Sequence, residues 1–478
     1  MNIDFQSEDL AKIYSIIWLV ELGLSWRWLR IFFGSEVNGG YRDDYKFRIF
    51  NFSCIQQAVT LVWVALHLMI LTTWFWKEAL VIIVFLNHHH FIRERWKSLL
   101  RGMGAPGFML YWMSASILLL SLGENVGEDA QTAIESLIVL DFALIMITAG
   151  IYKLKAGYRR GFGIEFGLVT RQWCYIHNVF RYLRPKSKVF RMLNELSWSL
   201  EIVGGLLMLT SSTRALGVAV IALSFAFLIP LIRLGVLCIT VISCCLIVGS
   251  IDVNLSQVVQ SVLENQLSTQ EFVTILVVFM YTVGMISTRI IQMRNVFLHK
   301  SLPRSMQTFS EIFGNLFGIT LWRVFTPDVT GFTVEMRLRN DSCADFSAPQ
   351  DTELSSMWGK GRFSLVAEAI ALTSIFTLRR YFPNARNLFE LRLLRHAKSV
   401  ARLDNPGVTY RYLEVVKRDA DFCLVETARF DVTIASEQIV ETVIPGSNIE
   451  CPIGHSPVRP GVRLGSYEQG QKSSETFD

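Results

Sequence analysis

Long apolar blocks alternate with short polar segments over the first two thirds of the chain. Each block is long enough to form a helix, and most approach the roughly 20 residues needed to cross a bilayer. The pattern predicts eight membrane spans, at about 54–75, 79–92, 106–123, 133–152, 195–212, 214–232, 234–251 and 271–290. An amphipathic or interfacial helix is predicted at about 12–33. A weaker ninth span, 307–325, contains Glu311, Asn315 and Arg323.

After about residue 326 the pattern changes. Charged residues of both signs become frequent, "FTVEMRLRN" and "GVTYRYLEVVKRDADFCLVE" alternate as strands do, and "FSLVAEAIALTSIFTLRRYF" is typical of a helix. The predicted fold class is therefore a polytopic α-helical membrane bundle of about eight to nine spans followed by a smaller soluble α+β domain. The expected domains are an N-terminal interfacial segment 1–53, a transmembrane domain 54–325, a soluble domain 326–453 and a disordered tail 454–478.

Composition and loop charge agree with a membrane protein. Of the 478 residues, 51% are hydrophobic, and the mean hydropathy is +0.36. The loops before the first span and after the second, fourth and eighth are basic, whereas those after the third and seventh are acidic, so the positive-inside rule predicts a cytoplasmic N-terminus. Eight spans would put the C-terminal domain in the cytoplasm and nine would put it outside. The sequence leaves both open.

Cysteine spacing and the N-terminus add two exclusions. The eight cysteines show no C-x-x-C spacing, which argues against a zinc ribbon or a thioredoxin-like motif. "MNIDFQSEDLAKIYSIIW" begins acidic and lacks a small-residue cleavage site, so no cleavable signal peptide is expected.

Lys153 ends the apolar helix of "DFALIMITAGIYKLKAGY" and is the first candidate for chemistry. A lysine at this depth can extend its ammonium to the lipid headgroups, which would give it no catalytic role. It can also lose hydration in a protein-lined pocket, where a neutral amine can act as a base. The small residues Ala149 and Gly150 would let another helix or a flat ligand approach closely.

The histidines of "NHHHF", from Asn87 to Phe91, form a second candidate. Successive helical residues point about 100° apart, so three adjacent histidines cannot share one ion, and no metal site is predicted. Two interpretations stay open: an interfacial histidine patch, or one histidine turned inward to bond a ligand hydroxyl.

Glu201 is a third candidate because an acidic residue inside a span normally has a partner. A structural pair with a lysine or arginine of a neighbouring helix is the favoured interpretation. A proton-coupled transporter using Glu201 would be expected to show paired broken helices, and the sequence has none.

The stretch "AGIYKLKAGYRRGFGIEFGLVTRQW" resembles the membrane segment of vitamin K-dependent gamma-glutamyl carboxylase and its bacterial relatives, the HTTM family. The matching positions are Ala149-Gly150, Lys153-Leu154, Gly161, Glu165 and Trp173. "YFPNARNLFELRLL" and "VTYRYLEVVKRDADFCLVETARFDVT" are similar to the segment after the family's last span. The chain departs from the family in having Tyr158 where a tryptophan is usual and no histidine in "LSFAFLIPLIRLG"; it is also much shorter than the animal enzyme.

This resemblance implies a membrane lyase that uses a reduced quinone similar to vitamin K hydroquinone, O2 and CO2, with no metal. Lys153 would deprotonate the quinol, oxygen addition would give a strongly basic alkoxide, and that alkoxide would remove the γ-proton of a peptide glutamate that then captures CO2. His89 would match the family's Asn-His position and bond the quinone oxygen. The other expected quinone-contacting residues are Asn87, His88, His90, Gly150 and Trp173, with Glu165 and Glu201 as structural or ion-pairing residues.

The expected partners are membrane lipid, a quinone and a peptide or protein substrate, without nucleic acid, in a bacterial plasma membrane. The alternative is a non-catalytic HTTM-type membrane protein for peptide binding, export or immunity. The enzymatic interpretation requires an uncharged Lys153 amine, and a carboxylate clamped to its nitrogen would contradict it.

Overall fold

The computed structural model shows a mainly helical chain with one small antiparallel sheet. It describes residues 6–33, 53–93, 104–160, 163–170, 173–234, 236–252, 268–298, 303–319, 332–339, 372, 375–376, 379, 386–403, 409–417 and 424–450. The helices are α1 (Ser7–Phe33), α2 (Ser53–Leu71), α3 (Trp76–Asn87), α4 (Gly104–Gly123), α5 (Glu128–Lys155), α6 (Ile164–Leu168), α7 (His177–Arg181), α8 (Lys188–Met208), α9 (Ser211–Leu228), α10 (Leu237–Ser250), α11 (Thr269–Leu298), α12 (Arg304–Phe317) and α13 (Arg386–Leu403). The strands are β1 (Phe332–Arg339), β2 (Thr409–Lys417), β3 (Leu424–Thr433) and β4 (Gln438–Glu450).

The eight predicted spans all fall on helices, namely α2, α3 with its extension, α4, α5, α8, α9, α10 and α11. Among the described residues, three helices are long and apolar enough to cross a membrane by length and composition: Glu128–Lys155, Ser211–Leu228 and Thr269–Arg294. Shorter apolar helices lie at Ala58–Leu71, Gly107–Gly123 and Leu237–Ser250. The chain is therefore compatible with a membrane protein.

Helix α5 lies inside the bundle, whereas α9 and α11 lie at its periphery. In the most apolar part of α5, 72% of the residues are buried, compared with 22% in α9 and 28% in α11. The outward faces of the peripheral helices carry large apolar side chains, among them Leu223 and Phe227 of α9 and Val277 and Met280 of α11. Such a surface suits lipid better than water.

The first half of helix α1 lies in the core of the bundle rather than on its surface. Leu10, Tyr14 and Trp18 are buried there, and the Trp18 ring contacts the Trp63 ring of α2 at a centroid distance of 4.7 Å. His67 of α2 is also buried and its Nδ1 lies 3.1 Å from the Ser15 hydroxyl. The N-terminal half of the predicted interfacial helix is thus part of the bundle's packing.

The C-terminal strands form a sheet in the order β1-β2-β3-β4, with every neighbouring pair antiparallel. The strands predicted from "FTVEMRLRN" and from "GVTYRYLEVVKRDADFCLVE" are confirmed, since they contain β1, β2 and the start of β3. Strand β4 and helix α13 were not predicted. Of the predicted helix at 363–382, only residues 372, 375–376 and 379 are described, and they are helical. The tail 454–478 lies outside the described residues.

Alternation along β2 creates the buried face of this sheet. Tyr410 and Tyr412 are buried, while Arg411 between them turns outward and pairs through two 2.7 Å hydrogen bonds with Asp431 of β3. Phe430 of β3 meets Phe389 of α13 edge to face, with ring centroids 5.1 Å apart. The period of two residues therefore sorts the strand into a core face and a paired polar face.

Candidate functional site

Lys153 lies in the last turn of α5 and is 6% exposed. Its Nζ donates to Glu201 Oε1 at 2.6 Å and to Ser197 Oγ at 3.1 Å, both on α8. The Nζ atom also lies 6.0 Å from the centre of the Tyr158 ring. The ammonium therefore does not extend to the headgroups but is enclosed in an ion pair between two helices.

This geometry corrects the expectation of an isolated, uncharged Lys153. A carboxylate at 2.6 Å stabilises the charged ammonium, and the two opposite charges compensate each other in a place where neither is hydrated. The condition that contradicts the enzymatic interpretation with Lys153 as the base is therefore met, and only a reaction that uses a different base is left to propose.

Glu201 keeps one oxygen without a hydrogen bond. Its Oε2 is buried and has no partner among the described residues, whereas Oε1 accepts from Lys153. The Lys153 ammonium has three donors and makes two hydrogen bonds to described groups. The site thus combines an unpartnered acceptor with a cation next to it.

One face of α8 carries the polar residues around this pair. Asn194, Ser197 and Glu201 recur at intervals of three and four residues, which places them on the same side of the helix. Asn194 Oδ1 accepts from the Ile164 backbone N–H at 2.9 Å, and its Nδ2 donates to Glu165 Oε2 at 2.7 Å. The face therefore binds α5 at one point and the segment after α5 at another.

Gly150 is where α5 and α8 approach most closely near the pair. A Cβ atom placed on Gly150 would lie 2.6 Å from the Trp198 carbonyl oxygen and 2.6 Å from Ile202 Cγ1. Two turns back toward the N-terminus of α5, α8 supplies the matching small residue, since a Cβ on Gly205 would lie 2.8 Å from the Ala143 carbonyl oxygen. The space in front of Gly150 holds a helix, which is one of the two approaches that the small residues allow; a quinone contact at Gly150 stays a prediction.

Replacing Gly150 by alanine is expected to lower the free energy of unfolding by about 1–3 kcal/mol. The added methyl group meets a backbone carbonyl that cannot rotate away, so the helices must separate. Denaturant unfolding of the reconstituted protein measures the loss. Gly249→Ala in α10 is the matched control, because a Cβ atom there would lie 3.4 Å from Val218 Cγ1, an ordinary contact distance. Equal stability of Gly150→Ala and wild type would contradict the close approach.

Glu165 and Trp173 are both buried in the segment that follows α5. Glu165 Oε2 accepts from the Gly163 N–H at 3.0 Å and from Asn194, which are neutral groups. The Trp173 carbonyl accepts from the Arg233 N–H at 2.8 Å. These contacts give Glu165 and Trp173 structural roles in holding the segment against α8 and against the chain after α9.

The histidine cluster lies on a π-helical extension of α3, His88–Arg93. Asn87 is buried and donates to Tyr14 Oη at 2.6 Å and to Ser114 Oγ at 2.9 Å. His88 Nε2 lies 2.6 Å from the carbonyl oxygen of Leu316 in α12. His89 is half-buried, and the side chain of His90 lies outside the described part of the chain. His88 therefore contacts α12, whereas Lys153 contacts α8.

A second buried ion pair was not found from the sequence. Arg289 of α11 donates to Asp141 Oδ1 of α5 at 2.6 Å, and Trp112 Nε1 of α4 donates to Asp141 Oδ2 at 2.9 Å. The sequence did contain a signal for this pair: Asp141 and Arg289 each lie inside a predicted span, and a charge there normally has a buried partner. Among the described residues, no group of three or more histidine, cysteine or carboxylate side chains is arranged to hold a metal ion.

Comparison of the chain with protein-family models, with curated proteins and with solved structures finds no match.

Proposed function

We propose that the chain is a multi-pass membrane enzyme resembling gamma-glutamyl carboxylase, which takes a proton from a reduced quinone at the Lys153–Glu201 pair. The observation that carries the proposal is Glu201 Oε2, a buried acceptor without a described partner beside the Lys153 ammonium. A phenolic hydroxyl donates one hydrogen bond and accepts others. Such a hydroxyl can therefore donate to Glu201 Oε2 and accept from the Lys153 ammonium.

In this proposal Glu201 is the base and Lys153 stabilises the product of proton loss. A phenol has an ordinary pKa of about 10, so a carboxylate alone is a weak base toward it. The proton moves from the quinol oxygen to Glu201, and the ammonium then faces the new oxyanion, which lowers the free energy of the transfer. Oε2 is enclosed by protein atoms, so the quinol reaches it only when a neighbouring side chain moves aside.

The membrane part of the proposal has eight spans, α2 to α5 and α8 to α11, in a bacterial plasma membrane. The exposed apolar faces of α9 and α11 support lipid contact. A lipid-soluble quinone reaches such a bundle from the bilayer. The resemblance adds O2, CO2 and a peptide glutamate as the remaining substrates.

Glu201→Gln is expected to reduce oxygen-dependent quinol oxidation by about 10²–10⁴-fold, the usual contribution of a general base. The amide keeps the shape of the side chain and can still accept from Lys153, but it cannot take the proton. The measurement is epoxide formation from vitamin K hydroquinone by the reconstituted protein, followed by incorporation of labelled CO2 into a glutamyl peptide.

Glu195→Gln is the matched control because Glu195 lies six residues earlier on α8 and on a different face. It should keep wild-type turnover. Unchanged epoxidation in Glu201→Gln, or none in the wild-type protein with quinol and oxygen, would overturn the proposal.

The second candidate is a non-catalytic membrane protein for peptide binding, export or immunity. The close contact of α5 with α8 at Gly150 favours it, because the ion pair then serves to hold two helices in register. An apolar replacement of both charges would leave such a protein functional, which separates the two candidates.

A further inference from the structure

We propose that α12 lies along the cytoplasmic boundary of the bilayer, against lipid headgroups, and does not cross the membrane. The inference rests on the multi-pass arrangement of the proposed function. It uses no reaction at Lys153 and Glu201. It decides between eight and nine spans and thereby the side of the C-terminal domain.

The side chains of α12 divide into three faces. Ser310 and Gly314 are buried against α11, where a Cβ on Gly314 would lie 3.5 Å from Thr288 Cγ2. Polar side chains share a second face: Arg304, Gln307, Thr308, Glu311 and Asn315. Apolar side chains that are 42–63% exposed share the third: Met306, Phe309, Ile312 and Leu316. A helix with one polar and one exposed apolar face is typical of the membrane interface.

The length of α12 is insufficient for a crossing. Its 14 residues extend about 21 Å at 1.5 Å per residue, whereas the hydrocarbon core is about 30 Å thick. Gly318, at φ 74°, ends the helix in the left-handed conformation. In a crossing helix the Glu311 and Asn315 side chains, which are exposed, would face lipid.

Both ends of α12 are fixed to helix ends that are predicted to lie on the same side. Its start follows the end of α11 after residues 299–303, a connection of about 20 Å at most. At its other end, His88 donates to the Leu316 carbonyl in the last turn, and a Cβ on Gly318 would lie 2.7 Å from Ile92 Cδ1. The end of α12 therefore lies beside the end of α3.

Helices α3 and α11 are the second and eighth predicted spans, and both are followed by basic segments. An even-numbered span runs toward the cytoplasm when the N-terminus is cytoplasmic. The two ends of α12 then lie at the same face of the bilayer, and His88 caps the carbonyl end of a helix lying there. The chain after α12 remains cytoplasmic.

The charged residues at the start of α12 indicate which kind of lipid headgroup it contacts. Arg294 near the end of α11 and Arg304 at the start of α12 are both exposed. They flank the connection between these two helices, just before the apolar face of α12 begins. Two guanidinium groups at this level favour anionic lipids of the cytoplasmic leaflet. The apolar face of α12 is therefore covered by lipid, at the level where the anionic headgroups meet the acyl chains.

Spin labels test the depth of each face in nanodiscs that contain phosphatidylglycerol. Labels replacing Phe309, Ile312 and Leu316 should be reached by oxygen and lie about 5–10 Å below the phosphates. Labels replacing Thr308, Glu311 and Asn315, one residue earlier in each case, should be reached by a water-soluble nickel chelate. Equal water access for both sets, or a label at the bilayer centre, would overturn the proposal.

Impermeant maleimide labelling of oriented vesicles tests the side. Ser436→Cys, in the exposed turn between β3 and β4, should react from the same side as Arg294→Cys and from the opposite side to Gln270→Cys at the start of α11. Reaction of Ser436→Cys from the Gln270 side would mean that α12 crosses. Opposite-side labelling of Arg294 and Gln270 shows separately that α11 spans, so a failure of the multi-pass arrangement is distinguishable from a failure at α12.

Discussion

Replacing Lys153 by methionine is expected to destabilise the helical bundle by about 3–5 kcal/mol. The substitution removes one partner of a buried pair and leaves the Glu201 carboxylate enclosed without a compensating charge. Methionine fills most of the lysine stem's volume, so the loss reports the charge rather than a cavity. Denaturant or thermal unfolding of the reconstituted protein measures it.

The double variant Lys153→Met/Glu201→Leu is the decisive control. Removing both charges abolishes the penalty, so its stability should return to within about 1 kcal/mol of wild type or exceed it. A single variant as stable as wild type would mean that the ammonium and the carboxylate are hydrated rather than buried. The same double variant separates the two candidate functions. A folded double variant that has lost the quinol turnover of the wild type favours the enzyme, whereas a folded, fully functional one favours the structural pair.

Helix positions in the bundle could be predicted because apolar blocks of this length leave few alternatives. The block at 133–152 became α5, Glu128–Lys155, with charged residues in its first and last turns. In lipid or in a bundle core, a helix satisfies its own backbone hydrogen bonds, so a long apolar run is sufficient to predict it. The alternation in "TYRYLEVV" was sufficient for β2 for a similar reason, because a period of two residues fits only a strand with one buried face.

Pairing between distant residues could not be predicted in the same way. Lys153 and Glu201 were each recognised as charges that needed an explanation, but they lie 48 residues apart, and the rotation of α8 against α5 decides whether they meet. That rotation depends on the glycine contacts at Gly150 and Gly205, which involve backbone atoms of the opposite helix. Asp141 and Arg289, separated by 148 residues, depend on the packing of α11 in the same manner.

Elements with weak periodicity were missed for a different reason. Strand β4 contains Pro445 and Gly446, which usually argue against a strand interior. It forms at the edge of the sheet, where irregular pairing with β3 between Glu426 and Ala428 accommodates a locally unpaired backbone. An edge position cannot be recognised until the order of the strands is known.

His396 is expected to make the C-terminal domain lose stability as the pH falls below 6.5. The ring is buried against Tyr412, with Nδ1 2.8 Å from the Tyr412 hydroxyl, and burial lowers the pKa of His396 to about 3. The unfolded chain, with an ordinary histidine pKa of about 6.5, therefore binds a proton first. The stabilisation is complete above pH 6.5 and is lost progressively between pH 6.5 and 3, at about 1.4 kcal/mol per pH unit.

Hydrogen exchange of the β2 and β3 amides, corrected for the intrinsic effect of pH, measures this loss. Between pH 7 and 5 the opening free energy of the wild-type sheet should fall by about 2 kcal/mol. His396→Phe should be flat over that interval, because phenylalanine has a similar volume and nothing to protonate. Lys398→Gln, two residues along α13 at a half-buried position, should keep the wild-type slope. If the opening free energy of His396→Phe still fell between pH 7 and 5, the prediction would be wrong. The pH dependence would then come from a carboxylate of the sheet and not from His396.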